Sequence, residues 1–89
     1  MTDKRLSAFK ELLDIMDQLR EKCPWDREQT FESIKTLTIE EVYELADAID
    51  RKNMDDIRKE LGDLMLHIVF YAKMASEKEA FEITDVLDT

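Results

Sequence analysis

The sequence predicts an all-α fold, in which an antiparallel helical hairpin forms a core that homodimerisation completes into a four-helix-type bundle. The 89 residues include one glycine and one proline, too few chain breakers for many short strands and turns. Hydrophobic residues make up 44% of the chain and charged residues 39%, a mixture typical of amphipathic helices. Because a chain of this length forms one domain at most, we expect residues 1–89 to be a single domain.

The first helix is predicted over Asp3–Glu21. Its apolar residues recur at steps of three and four, namely Leu6, Phe9, Leu12, Leu13, Met16 and Leu19. The helix is expected to end before Pro24, because a proline disfavours helical backbone angles in the preceding residue, Cys23. A short helical piece is expected next, over about Glu28–Lys35.

A stronger helix is predicted to begin at Thr38 and to continue to about Ile49. Thr38 and Glu41 fit the capping-box pattern, a hydroxyl residue followed three positions later by Glu. The helix ends in the polar stretch Asp50–Asn53, and such a short connection makes the helices on either side antiparallel neighbours.

The third long helix is predicted from an N-cap at Asn53 to about Glu77, and a last helical turn begins at Thr84. One apolar stripe of the third helix comprises Ile57, Leu61, Leu64, Ile68, Ala72 and Ala75. Leu66, Val69 and Phe70 lie on its other sides. A helix that is apolar nearly all round needs cover on all sides, which predicts a homodimer or a larger helical bundle.

Charge and composition exclude several classes of protein. The formal net charge of −9 disfavours general binding to nucleic acid and to anionic membranes. No apolar run is long enough to span a bilayer. A single cysteine, Cys23, cannot form an internal disulfide, so we expect a cytoplasmic protein.

Each of the two later helices offers two carboxylates, three residues apart, beside its apolar stripe. Helical geometry places Glu41 and Glu44 in one sector of the first of these helices. Glu60 and Asp63 share a sector of the next helix with His67. If the helices are antiparallel neighbours, the four carboxylates converge.

Converging carboxylates are unfavourable unless a positive charge lies among them. The nearby Arg58 and Lys59 are expected on other faces of the helix. Several hard oxygen ligands suit Mg²⁺, with Mn²⁺ as an alternative. The residues also allow a simpler interpretation, in which Glu41 completes the capping box, Glu44 pairs with a surface lysine, and Glu60 and Asp63 form a solvated stripe on an exposed face.

Three segments resemble the MazG-type nucleoside triphosphate pyrophosphohydrolases: CPWDREQTFESI at 23–34, TIEEVYELADAI at 38–49 and RKELGDLMLHIVFYAKMA at 58–75. The specific part is an ExxE motif followed by an ExxD motif. The resemblance covers nearly the whole chain. It implies an all-α homodimer or dimer of dimers that uses Mg²⁺ to convert a nucleoside triphosphate and water into the monophosphate and pyrophosphate.

The resemblance also implies roles for individual residues. Glu41, Glu44, Glu60 and Asp63 would be the metal ligands. Glu44 or Glu41 would be the catalytic carboxylate that takes the proton from the attacking water.

Four further residues are candidates with simpler alternatives. His67 could orient Asp63, or be a core histidine satisfied by a neighbouring side chain. Trp25 could stack on a nucleobase, or be a packing anchor. Arg27 and Lys35 could contact the triphosphate, or be solvated surface charges.

Two departures from the family keep a second function open. Some active relatives carry basic residues one turn before each acidic motif, where this chain has Leu37 and Asp56. Further substrate contacts in the family come from helices beyond the third, so the resemblance allows a fragment that lacks C-terminal helices. The alternative is therefore a non-catalytic dimerisation or regulatory domain that retains the scaffold.

Overall fold

The computed structural model describes residues 3–89 and contains five helices. They are α1 (Lys4–Lys22), α2 (Pro24–Glu28), α3 (Phe31–Asp50), α4 (Met54–Glu77) and α5 (Ile83–Leu87). No strand occurs in this part of the chain, so the predicted all-α class is confirmed. None of the helices found over these residues combines the length and apolar character that crossing a membrane requires.

The contacts between described residues define two compact units. The first unit comprises the chain up to Gln29 together with Val69–Thr89. The second unit is Thr30–Ile68, which includes all of α3 and the N-terminal part of α4. All four residues of the predicted carboxylate set lie in the second unit.

The first unit has an apolar core and an arginine that fixes the segment around α2. Its buried apolar side chains are Met16, Val69, Phe70, Ala72, Met74 and Ala75. The Nη1 atom of Arg20 donates to the carbonyl oxygens of Asp26, Arg27 and Gln29 at 2.6, 2.9 and 3.2 Å. Its Nε donates to the Glu77 carboxylate at 2.9 Å. One side chain therefore binds three carbonyl groups at the end of α2, where helical carbonyls lack partners within the helix.

The predicted break around Pro24 is confirmed, but the short helix that follows it begins at Pro24 itself, earlier than expected. Cys23 caps α1 with extended backbone angles, and Pro24 is the first helical residue of α2. Proline suits this position because the first helical N–H has no partner within the helix. The expected helical piece over Glu28–Lys35 is wrong as a separate element, since its last residues belong to α3.

The predicted helix start at Thr38 is also wrong. The capping box is formed by Thr30, whose side chain accepts from Ser33 N at 3.1 Å, and by Ser33, whose Oγ accepts from Thr30 N at 2.9 Å. No glycine or proline interrupts the following twenty residues, so the helix continues through Thr38. The Thr38 hydroxyl donates back to the Ile34 carbonyl at 3.1 Å, as Ser and Thr do inside helices.

The connection between α3 and α4 has three residues. Asn53 N donates to Ala48 O at 3.1 Å and Lys52 N donates to Ile49 O at 3.0 Å, the pairing of a Schellman motif. Lys52 adopts the left-handed conformation that this motif requires, with φ of 56°. The side chain of Asn53 accepts from Asp56 N at 3.0 Å, which confirms it as the N-cap of α4.

The second unit presents apolar side chains that the described chain leaves uncovered. On α3 these side chains are 50–73% exposed: Ile39, Val42, Tyr43 and Ile49. On α4 they are 41–73% exposed: Met54, Leu61, Met65 and Ile68. We call this set the apolar stripe of α3 and α4. Contiguous exposed apolar side chains commonly mark a protein interface.

Candidate metal centre

The carboxylates lie on two antiparallel helices. Glu41 and Glu44 are on α3, and Glu60 and Asp63 are on α4. Two contacts show their register: Thr38 bonds to His67, and Glu41, one turn later on α3, lies close to Asp63, one turn earlier on α4. The capped connection at residues 51–53 therefore holds the two acidic pairs at the same level of the hairpin.

Three of the four carboxylates converge. Glu41, Glu60 and Asp63 each offer one oxygen, and these oxygens all lie within 4.8 Å of one another. The negative charge of Glu44 raises the pKa values of both Glu41 and Glu60, so Glu44 lies close to the same cluster. Glu60 is only 8% exposed, Glu41 is half-buried and Glu44 is exposed.

Two oxygens of the cluster need a partner that residues 3–89 do not supply. The Oε2 atoms of Glu41 and Glu60 are buried and accept no hydrogen bond from the described residues. A buried carboxylate oxygen without a partner costs free energy. A divalent cation held by Glu41, Glu60 and Asp63 would remove that cost, so the residues fit a hard cation such as Mg²⁺.

The pKa values of two members are raised. Burial raises the pKa of Glu41 to about 7, and the negative charges of Asp63, Glu60 and Glu44 add to the effect. Burial also raises the pKa of Glu60, together with a hydrogen bond to Glu44 and its negative charge. Without a cation, Glu41 is therefore partly protonated near neutral pH, and cation binding releases that proton.

His67 lies beside the cluster and bonds to α3. Its Nδ1 is 2.9 Å from Thr38 Oγ1. When the Thr38 hydroxyl donates to the Ile34 carbonyl, the Nδ1–H of His67 donates to that hydroxyl and Nε2 keeps its lone pair. Burial lowers the pKa of His67, and the negative charge of Asp63 opposes this shift. The bond to Thr38 matches the core-histidine interpretation, and orientation of Asp63 by His67 stays a prediction.

An open groove of about 290 Å³ adjoins the cluster. Its lining residues are Glu44, Asp47, Arg51, Asp56, Lys59 and Glu60. The expectation that Lys59 faces away from the carboxylates is wrong, because its long side chain reaches the groove that Glu44 and Glu60 also line. Sequence reasoning therefore missed a basic residue of the site. It also missed Thr38 as the partner of His67, having treated it as a cap.

The remaining candidates are exposed. Trp25 and Arg27 lie on α2 in the first unit, with Trp25 54% exposed. Lys35 is exposed on α3, and it is not among the residues that line the groove. Contacts of these three residues with a substrate stay predictions.

Fold and site together define a class: an all-α domain with an antiparallel helical pair whose clustered carboxylates suit a divalent cation. Comparison with known proteins makes this class specific. The profile of the MazG nucleotide pyrophosphohydrolase domain matches residues 29–89, and the chain belongs to this family.

Named relatives are similar over most of the chain. A Thermotoga maritima protein named nucleoside triphosphate pyrophosphohydrolase/pyrophosphatase MazG is 54% identical over 83 residues, covering 91% of this chain and 32% of the relative. The Escherichia coli and Mycobacterium tuberculosis proteins named nucleoside triphosphate pyrophosphohydrolase are 49% and 44% identical, over 91% and 97% of this chain and 32% and 27% of each relative. The chain thus spans about a third of the length of these relatives.

Proposed function

We propose that this domain is a Mg²⁺-dependent nucleoside triphosphate pyrophosphohydrolase, which converts a nucleoside triphosphate and water into the monophosphate and pyrophosphate. The observation that carries the proposal is the convergence of Glu41, Glu60 and Asp63, with two buried oxygens that lack a partner among the described residues. The family and the names of the relatives support the same reaction. Mn²⁺ is the expected substitute ion.

The residues of this chain would have two roles in the reaction: some would hold the cation and one would accept a proton. Glu41, Glu60 and Asp63 would hold Mg²⁺, with Glu44 completing the ligand set. When bound, Mg²⁺ neutralises charge on the triphosphate and makes a bound water more acidic. Glu44 is the better candidate to accept the water's proton, because it is exposed and lines the groove. Glu41 is the alternative base.

The charge of the chain supports a small anionic substrate. With a net charge of −9, the surface repels an extended phosphate backbone, whereas a triphosphate can bind where a divalent cation lies between the two anions. We therefore propose a free nucleotide and not nucleic acid as the substrate. The cytoplasm is the proposed location, since Cys23 has no second cysteine to pair with.

The apolar stripe of α3 and α4 supports a homodimer or a dimer of dimers. A partner chain would cover side chains such as Tyr43, which is 73% exposed, and Leu61, which is 51% exposed. Light scattering of wild type and Leu61→Glu tests the assembly, with Glu40→Gln as a surface control. We expect the charged variant to shift towards monomer. A monomeric wild type at micromolar concentration would contradict the proposed dimer.

One observation favours a second candidate function. Asp56 occupies a position where some active relatives carry a basic residue, and here it binds Arg51 at 3.0 Å. A non-catalytic dimerisation or regulatory domain could keep the carboxylate cluster without needing that basic group. The two functions differ in turnover and not in fold.

Pyrophosphate release decides between the two functions. Wild type, Glu41→Gln and the exposed control Glu40→Gln are assayed on ribo- and deoxynucleoside triphosphates, with Mg²⁺ and with EDTA. We expect release that requires Mg²⁺, survives in Glu40→Gln and falls at least about 100-fold in Glu41→Gln. A wild type that binds Mg²⁺ in calorimetry but releases no pyrophosphate would instead support the regulatory domain.

A further inference from the structure

The groove beside the carboxylate cluster contains both signs of charge. Glu44 and Glu60 belong to the cluster, and Asp47 and Asp56 add two further carboxylates. Two basic side chains also line the groove, Arg51 and Lys59. The two basic residues differ in how many carboxylates of the protein each already binds.

The guanidinium group of Arg51 is bound by two neighbouring carboxylates. Its Nε lies 3.0 Å from Asp47 Oδ2 and its Nη2 lies 3.0 Å from Asp56 Oδ2. These carboxylates flank the connection between α3 and α4, so Arg51 links the two helices at that end. Most of its charge is matched within the protein, which leaves little to attract a ligand.

The ammonium group of Lys59 is not bound by carboxylates of the described chain in this way. Its side chain is exposed, and no hydrogen bond or ion pair joins it to another residue of the described range 3–89. It nevertheless lines the same groove as Glu44 and Glu60, the two members of the carboxylate cluster that face this groove. A lysine on a flexible stem, next to an anion-binding cation site, can approach a phosphate without giving up another partner.

The charge balance explains why the site needs such a group. A nucleoside triphosphate carries about four negative charges near neutral pH, and one Mg²⁺ neutralises two of them. The remaining phosphate oxygens would face a groove that carries four carboxylates. An unpaired ammonium group is the feature of this groove that can offset the repulsion.

We propose that Lys59 binds the phosphate chain of the triphosphate from the groove side of the carboxylate cluster and holds it against the cation. The inference rests on the proposed function, because it assumes a triphosphate at the cluster. It assigns Lys59 to substrate binding and leaves the cation ligands unchanged. Arg51 is assigned to the helix connection and not to the substrate.

The test compares Lys59→Gln, Lys59→Arg and the control Arg58→Gln. Arg58 precedes Lys59 on the same helix, is exposed and pairs with Asp55 at 3.7 Å, outside the groove residues. Three quantities are measured for each protein: kcat and KM for pyrophosphate release, Mg²⁺ affinity without nucleotide by calorimetry, and affinity for a non-hydrolysable α,β-imido triphosphate with Mg²⁺.

We expect Lys59→Gln to weaken analogue binding and to raise KM about tenfold or more, with kcat changing less. Its Mg²⁺ affinity without nucleotide should be unchanged or slightly higher. Lys59→Arg should recover most of the analogue affinity, because it restores the charge. Arg58→Gln should stay within about twofold of wild type in all three quantities.

Two results would overturn the inference, and they are distinguishable. If wild type binds and hydrolyses triphosphate but Lys59→Gln matches it in KM and analogue affinity, the role of Lys59 is wrong while the proposed function stands. If wild type neither binds the analogue nor releases pyrophosphate, the proposed function and this inference fail together. A wild type that binds the analogue without turnover, with weaker binding in Lys59→Gln, supports the inference alone.

Discussion

The Nδ1 atom of His67 lies 2.9 Å from the hydroxyl of Thr38, so a side-chain hydrogen bond joins α4 to α3 about one turn from the carboxylates. On one side of this bond, Glu41 follows Thr38 by three residues. On the other side, Asp63 precedes His67 by four. The bond therefore fixes the register that brings both acidic motifs to one level of the hairpin.

Replacing Thr38 with valine should weaken this register. The substitution keeps the branched shape but leaves the half-buried Nδ1 of His67 without its hydroxyl partner, so we expect a loss of about 1–2 kcal/mol in the free energy of unfolding. Urea unfolding of the metal-free protein measures the loss. Thr36→Val, at an exposed position of the same helix, is the control. Equal losses in the two variants would show that the bond does not stabilise the fold.

Glu60→Gln should stabilise the metal-free protein and abolish its response to Mg²⁺. At pH 8 the substitution removes one negative charge from a cluster of carboxylates, so the free energy of unfolding should rise relative to the control. Wild type should gain thermal stability when Mg²⁺ is added, and Glu60→Gln should not. Thermal unfolding with EDTA or Mg²⁺ measures both effects, with exposed Glu40→Gln as the control. A destabilised Glu60→Gln in EDTA would indicate that the carboxylate makes a favourable contact in the metal-free state.

The stability of the metal-free protein should fall as pH rises from about 5 to 8. The pKa of Glu41 is raised from 4.5 to about 7 in the folded chain, so over this interval the folded state binds more protons than the unfolded state. Its contribution is fully present below the unfolded pKa and is lost as pH rises through the folded value. We expect a difference on the order of 1–2 kcal/mol after allowance for solvent screening.

The pH effect is isolated by comparison with Glu41→Gln, since His67 has a lowered pKa and contributes with the opposite sign. Unfolding is measured in EDTA at several pH values from 5 to 8.5. As pH rises, wild type should lose more free energy of unfolding than Glu41→Gln does. Parallel curves would mean that Glu41 does not titrate in this range. With Mg²⁺ present, stabilisation of wild type by the ion should instead increase with pH, because binding displaces protons.

Lys52→Gly should stabilise the fold. Lys52 has φ of 56° in the Schellman motif after α3, a conformation that glycine adopts without the steric cost of a Cβ. We expect a gain of about 0.5–1 kcal/mol in the free energy of unfolding. Lys52→Ala is the control, because it shortens the side chain but keeps the Cβ. If alanine gives the same gain as glycine, the left-handed backbone is not the cause.

Much of the fold was predictable because periodicity and capping act locally. The first helix, the break at Pro24, the cap at Asn53 and the end of α4 at Glu77 agree with expectation within one or two residues. The start of α3 was predicted wrongly because two hydroxyl residues, Thr30 and Thr38, both precede a suitable partner by three positions. Only the structure shows that the first forms the capping box and that the second lies inside the helix.

The site, too, was predicted where local spacing decides it and missed where it does not. Helical spacing was enough to place Glu41, Glu60 and Asp63 beside the buried edges of two neighbouring helices, and the structure brings an oxygen from each together. Helical spacing did not predict that Lys59 lines the groove, because the direction of its Cα–Cβ bond says little about where a four-carbon side chain ends. It also could not show that Arg51 is held by two aspartates, since one of them lies across the connection.

The spacing of the apolar stripe on α3 has a consequence for the amount of folded protein. Ile39, Val42 and Ile49, with Ala46 between them, recur at intervals of three and four residues, the spacing by which helices of separate chains interlock. Where copies associate through this stripe, folding and association share one equilibrium, and dilution lowers the folded fraction by mass action. Because Glu41 and Glu44 are carried on the same helix, the capacity to bind a cation would then rise and fall with the concentration of the chain itself.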